Sequence, residues 1–233
     1  QPILSGCSFS GTGDYGLRVG LHSIDNGSFI TSGYIHGVQV LPSTLISSRR
    51  WNVPGTNQVY VVEGGDLTIY NWAALTIDEG VTVKFDTNGR LILGYPGLIN
   101  SPGRLLADGT PASPITFTSL SGAVNGWKGL TFGSSSDYNG ATSTLDYCII
   151  EKAGVLTDGV WRANVLCVDT NQPTMTHCRI LDSGAELVVC VRSPISISNS
   201  ELVGTPGQAI VSNVGDTVEA ANNWWGHATG PYD

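Results

Sequence analysis

Nine residues of this 233-residue chain combine the side-chain types that hold a polar ring in place: Asp137, Tyr138, Asp158, Trp161, Arg162, Asp169, His177, Arg179 and Asp182. The rings of Tyr138 and Trp161 offer flat apolar faces on which a pyranose can stack, and Asp and Arg side chains bond sugar hydroxyls. The first five fall on two irregular stretches, 133–143 (GSSSDYNGATS) and 151–163 (EKAGVLTDGVWRA), and the other four follow directly. Loops projecting from a rigid scaffold are the usual place for a binding surface. The same residues would also make a solvated face crossed by a few ion pairs, and spacing alone leaves both readings open.

Other constellations are thinner. No CxxC occurs and the four histidines are scattered, so no metal site is expected. Asp86 with Asn88 and Asp169 with Asn171 are fragments of an oxygen-rich calcium loop; lacking the full ladder of ligands, they read as Asx turns. No cofactor is therefore expected, with calcium the one cation for which the sequence offers even partial ligands. Trp224 and Trp225 could form an exposed platform, but read more simply as a cover for the open end of the fold. Threonines 68, 76, 82, 116, 118 and 131 do not repeat at one spacing, which argues against an ice-binding array.

The elements that must position these residues are revealed by a recurring pattern. In STLDYCII an aliphatic residue, Leu145, stands five positions before the last large apolar residue, Ile150, and a small one, Cys148, stands two before it. Leu4, Cys7 and Phe9 repeat this, as do Ile24, Gly27 and Phe29, then Met175, Cys178 and Ile180, then Ile197, Ser200 and Leu202. Four positions after the anchor come Gly154, Gly13, Gly33 and Gly184, with Pro206 in the last copy, where a bend needs φ > 0 or close backbone approach. Repeats of 20 to 30 residues, built from short strands without a helical period, predict an all-β fold, a β-solenoid in preference to a β-sandwich of coincidental spacing. Coils stacked about 4.8 Å apart would join their apolar faces into one interior column. Cys7, Cys148 and Cys178 share one inward slot, and Cys167 stacks on Cys190; buried thiols are the simpler expectation, with disulfides left open.

In order, residues 1–46 read as two coils, 47–58 as a connection carrying two arginines, and Val59 onward as short strands such as VTVKF, with Val81, Val83 and Phe85 inward. This divides the chain into 1–50, resembling the late coils of the unit, and 51–233, a β-helix unit with a C-terminal cap. Gln1-Pro2 with LSGCSFSGTG parallels Gln172-Pro173 with MTHCRILDSG, so tandem copies are expected in the parent polypeptide. Charged residues make up 13%, glycine 30 of 233, and the net charge is −8 with three lysines, which argues against nucleic-acid partners. No run of about 18 apolar residues occurs, so no membrane insertion is expected. The opening QPILSGCSF already belongs to a coil, so a signal peptide is expected to be absent or removed.

The stretches ALTIDEGVTVKF, GRLLADGTPASPITFTS, GWKGLTF and NNWWG…GP resemble the right-handed parallel β-helix modules of secreted bacterial proteins, similar to the pectate-lyase-like superfamily. The resemblance covers nearly the whole chain and implies a right-handed single-stranded parallel β-helix of about nine or ten coils. It implies an extracellular or cell-surface setting and contact with polysaccharide or cell-surface glycan, but one such scaffold carries lyases, hydrolases, adhesins and inert stalks. Lyases of that superfamily use a basic group beside a uronate, often with calcium, and hydrolases face carboxylates across a bond. His36-Gly37 matches only a fragment of the hydrolase pattern, and VRSPIS (191–196) only part of the lyase one. The expectation is a non-catalytic spacer or adhesion module with a carbohydrate-binding face; a polysaccharide lyase or hydrolase is the alternative.

Overall fold

The computed structural model describes residues 7–24, 29–94, 101–133, 142–156, 161–169, 173–213 and 215–230. Three sheets carry the fold, and every pairing in them is parallel. Sheet 1 stacks eight strands, from Tyr15–Gly20 to Glu201–Val203; sheet 2 stacks seven, from Ser43–Leu45 to Ile210–Ser212; sheet 3 stacks seven, from Arg49–Trp51 to Val218–Glu219. From Gly37 onward the chain visits sheets 1, 2 and 3 in turn, then returns to sheet 1 one strand further along. Each circuit thus adds one rung to every sheet, an architecture consistent with a β-solenoid. Among the described residues helix is limited to the single 3₁₀ turn Leu21–Ser23, and no helix is long and apolar enough to cross a membrane.

The cause is strict alternation on strands too short to bury a face alone. In Thr82–Phe85 the chain points Val83 and Phe85 inward and leaves Thr82 and Lys84 half-buried on the outside. Register then piles inward residues on one another: Val83 on Phe117, Ile150, Ile180 and Leu202 in sheet 1, and Leu145 on Met175 and Ile197 in sheet 3. Together with the inward residues of sheet 2 they form a single buried cluster. Each such side chain contributes about 1.5–3 kcal/mol by leaving water. Trp127 of GWKGLTF joins this interior, stacked on Phe85 at 4.5 Å with its indole N–H donating to the Glu151 carbonyl at 2.7 Å.

The cysteine slot has a second cause beside size. Cys148 Sγ lies 3.2 Å from the Ala107 carbonyl and Cys178 Sγ 3.5 Å from that of Leu145, one rung back in each case. In the last circuit Asn223 donates likewise to the Ile197 carbonyl at 2.9 Å. The slot therefore takes a small donor that satisfies the backbone where sheet 3 turns into sheet 1. Burial pushes the Cys148 thiol well above its ordinary range, with neighbouring Cys178 adding to the effect. None of the five cysteines is in a disulfide, and Cys167 stands opposite Cys190 as the spacing predicts.

Three expectations need correction. Residues 47–58 are not merely a connection, because Arg49–Trp51 is a strand of sheet 3; Trp51 is buried while Arg50 turns outward to Asp78 at 2.7 Å. Phe9 pairs with Thr31, not Phe29, in a separate two-stranded sheet of Cys7–Ser10 with Phe29–Ser32, so Cys7 lies outside the column of Cys148 and Cys178. Thr31 is fully buried because its hydroxyl donates to the Pro54 carbonyl at 3.0 Å, which lets a polar residue occupy a position where only an apolar one was sought. Among the recurring glycines, Gly154 takes φ 119° and a Cβ at Gly184 would meet Asn125 Oδ1 at 1.7 Å, whereas Gly13 has neither constraint.

Candidate functional site

Where sheet 3 turns into sheet 1 the direction changes through one residue in the left-handed conformation. Tyr147, His177, Asn199 and Asn222 hold this place on successive rungs, with φ of 46°, 50°, 53° and 58°. The N–H groups of the first three donate to the carbonyls of Thr176, Ser198 and Ala221, which locks the rungs in line. Asn and His visit this region far more readily than bulky residues, so Tyr147 costs roughly 1 kcal/mol in backbone strain. The left-handed turn sends these four side chains outward and the next residue, Cys148, Cys178, Ser200 or Asn223, to the inward slot. Gly109 fills the corner one rung before Tyr147; a Cβ there would stand 2.7 Å from the Tyr147 carbonyl.

Tyr147 and His177 lie ring over ring, 4.5 Å apart and within 6° of parallel. Such a pair adds about 0.5–1.5 kcal/mol, which offsets the strain at Tyr147. Asp146 Oδ1 accepts from Thr176 Oγ1 at 2.7 Å and from His177 Nδ1 at 2.8 Å. A carboxylate only accepts, so Nδ1 carries a proton. Two residues further along each rung come Ile149, Arg179, Glu201 and Trp224, in register on the outer face of sheet 1. Arg179 Nε bonds Glu201 Oε2 at 2.7 Å. Trp224 is 50% exposed, whereas its neighbour Trp225 packs against the core. Of the two tryptophans expected to cover the open end, Trp225 alone packs against the core.

Between the two outward columns lies an open groove of ≈ 450 Å³, floored by Cys178 and Ser200 and bordered by His177, Arg179, Asn199 and Trp224. A second groove of ≈ 440 Å³ further back on sheet 3 holds the Arg50–Asp78 ion pair, Glu79 and Asp108, with no aromatic ring on its lining. Of these two grooves, the Tyr147–His177 one combines ring faces, amides and a charge pair.

Of the nine residues singled out from the sequence, Asp137, Tyr138 and Asp158 lie outside the described residues. The remaining six are distributed around the prism. His177 is at the corner from sheet 3 to sheet 1, and Arg179 points outward beside it on sheet 1. Asp182 is at the corner from sheet 1 to sheet 2, and Asp169 at that from sheet 2 to sheet 3. Asp169 is gripped by Arg192 through bonds of 2.5 and 2.7 Å, which hold its carboxyl below the ordinary range against a small opposing effect of burial. Trp161 packs on an apolar strip outside sheet 2 formed by Ala163, Leu166, Val189 and Val191, and Arg162 beside it is exposed. The structure therefore brings His177 and Arg179 together and separates the other described ones.

Tyr147, Asn199, Asn222, Glu201 and Trp224 complete the groove without having been proposed for it. Aligning NNWW (222–225) under NSEL (199–202), HCRI (177–180) and YCII (147–150) would have found them. Asp86 makes the expected Asx turn, Oδ1 accepting from the Asn88 N–H at 3.1 Å. Among the described residues no group of three His, Cys, Asp or Glu could hold a metal ion. No family model, curated protein or solved structure matches the chain.

Proposed function

We propose that this protein is a non-catalytic, rigid module of the extracellular or cell-surface kind, which presents a carbohydrate-binding face. In this reading the solenoid is a right-handed parallel β-helix like those of the pectate-lyase-like superfamily, and its partner is a polysaccharide or cell-surface glycan. The observation that carries it is the groove bordered by the Tyr147–His177 ring pair and the half-exposed Trp224, with the amides of Asn199 and Asn222 between them. Sugar sites are built this way, from flat apolar faces with a few polar groups that fix orientation. The lining supports binding over hydrolysis. Among the described residues Glu201 is the one acid on it and is paired with Arg179, so the groove offers no second carboxylate for the facing pair that glycoside hydrolysis uses.

A glycan array followed by titration of its hits tests this. Trp224→Ala is expected to weaken binding roughly tenfold, the equivalent of about 1.4 kcal/mol for one lost stacking face, without change in melting temperature. An unchanged affinity for every glycan bound by the parent protein would remove the groove from the account. New reducing ends or unsaturated uronates on incubation with polysaccharide, with or without Ca²⁺, would replace the binding reading with an enzymatic one.

A further inference from the structure

Resting on that reading, we infer that the groove takes the terminal ring of a neutral glycan, which continues the Tyr147–His177 pile above Asn199. One face of the His177 ring is covered by Tyr147, so the other looks toward the next rung, where the corner residue shrinks to Asn199 and then to Asn222. The pile of rings stops there and the groove begins. A ligand ring at that place would meet His177 at the same spacing at which His177 meets Tyr147. No side-chain hydrogen bond among the described residues engages the amides of Asn199 or Asn222, so both have donors and acceptors to offer a sugar's hydroxyls.

Rungs follow one another at about 4.8 Å, so a ring stacked on His177 stands at the level of Asn199, with Asn222 and Trp224 beyond it. Charge selects against uronates. The Arg179 guanidinium is committed to Glu201, the His177 Nδ1 proton to Asp146, and the chain as a whole carries −8. A sugar carboxylate would enter a groove whose cations are already paired, under a repulsive field.

The test is Asn199→Tyr, which extends the protein's own ring pile into the place claimed for the sugar. Tyr147 already occupies the equivalent corner at nearly the same φ, so the backbone accepts the change. Length series of neutral gluco-, manno-, galacto- and N-acetylglucosaminyl oligosaccharides are titrated beside oligogalacturonates. The inference expects at least one neutral series to bind, uronates to bind more weakly, and Asn199→Tyr to reduce binding at least about tenfold. His177→Phe, which keeps a ring face but gives up the bond to Asp146, should retain most of the affinity, and His177→Ala should lose it. Preference for the uronates, or unaltered binding by Asn199→Tyr, would overturn the inference. If Trp224→Ala weakens binding while Asn199→Tyr does not, the sugar face stands and the ring-pile placement falls; if neither matters, both fall.

Discussion

Met175→Ala should destabilise the protein by about 2–5 kcal/mol, while Thr174→Ala next to it should change stability by less than about 0.5 kcal/mol. Met175 is fully buried and sits in register between Leu145 and Ile197, so its loss opens a void in the middle of the column. Neighbouring rungs cannot collapse into that void, because their backbones are held at fixed spacing by hydrogen bonds on both sides. Thr174 belongs to the same strand and points outward. Urea unfolding followed by circular dichroism measures both: the midpoint should fall for Met175→Ala, with the slope unchanged. Equal effects at the two positions would mean that the strand does not present alternate faces to core and solvent. For a domain whose stability is of order 5–15 kcal/mol, the Met175 loss alone would be a large fraction of the total.

Asn164→Ala is expected to cost about 2–4 kcal/mol although it removes no apolar surface. Asn164 is fully buried where sheet 1 turns into sheet 2. Its amide nitrogen donates to the Ile150 carbonyl at 3.2 Å and the Leu181 carbonyl at 2.6 Å, and its oxygen accepts from the Ala153 N–H at 2.9 Å. One side chain thus ties two adjacent rungs of sheet 1 to the first residues leaving that sheet. Alanine leaves these buried backbone groups short of a partner, and no water can reach them without opening the corner. Asn164→Asp should be worse still, since it keeps the acceptor for Ala153 but turns a negative charge toward two carbonyl oxygens. Thermal unfolding of both variants provides the check, and a loss below about 0.5 kcal/mol for either would show that the corner is solvated.

The interior of the fold was legible because a solenoid repeats its inward positions at constant offsets. Leu145, Met175 and Ile197 share an offset in the sequence and a column in space. Failures came where another force filled a slot with a different residue type. Thr31 is buried by a hydrogen bond instead of by apolarity, and Trp51 ends a strand of three residues whose other two are arginines. The candidate site was only partly legible, for a geometric reason. Residues close together in sequence travel around the prism, so Asp169, His177 and Asp182 end on three different corners. Residues one rung apart, such as Tyr147, His177 and Asn199, come together on one corner. A functional surface on this scaffold is read across the repeats, and grouping candidates by proximity along one repeat ran against the topology. Trp161 shows the same limit: its aromatic type suggested a sugar platform, but the apolar strip of Leu166 and Val189 against which it packs is formed by two different rungs.

The most direct test of the groove as the binding face is side-chain NMR of the tryptophan indole and histidine ring signals during titration with the tightest glycan from the array. The largest shifts should fall on Trp224 and His177, with Trp161 and Trp72, a tryptophan as exposed as Trp224 but outside the groove, unmoved. Shifts concentrated on Trp161 or Trp72, with Trp224 and His177 silent at saturation, would contradict it.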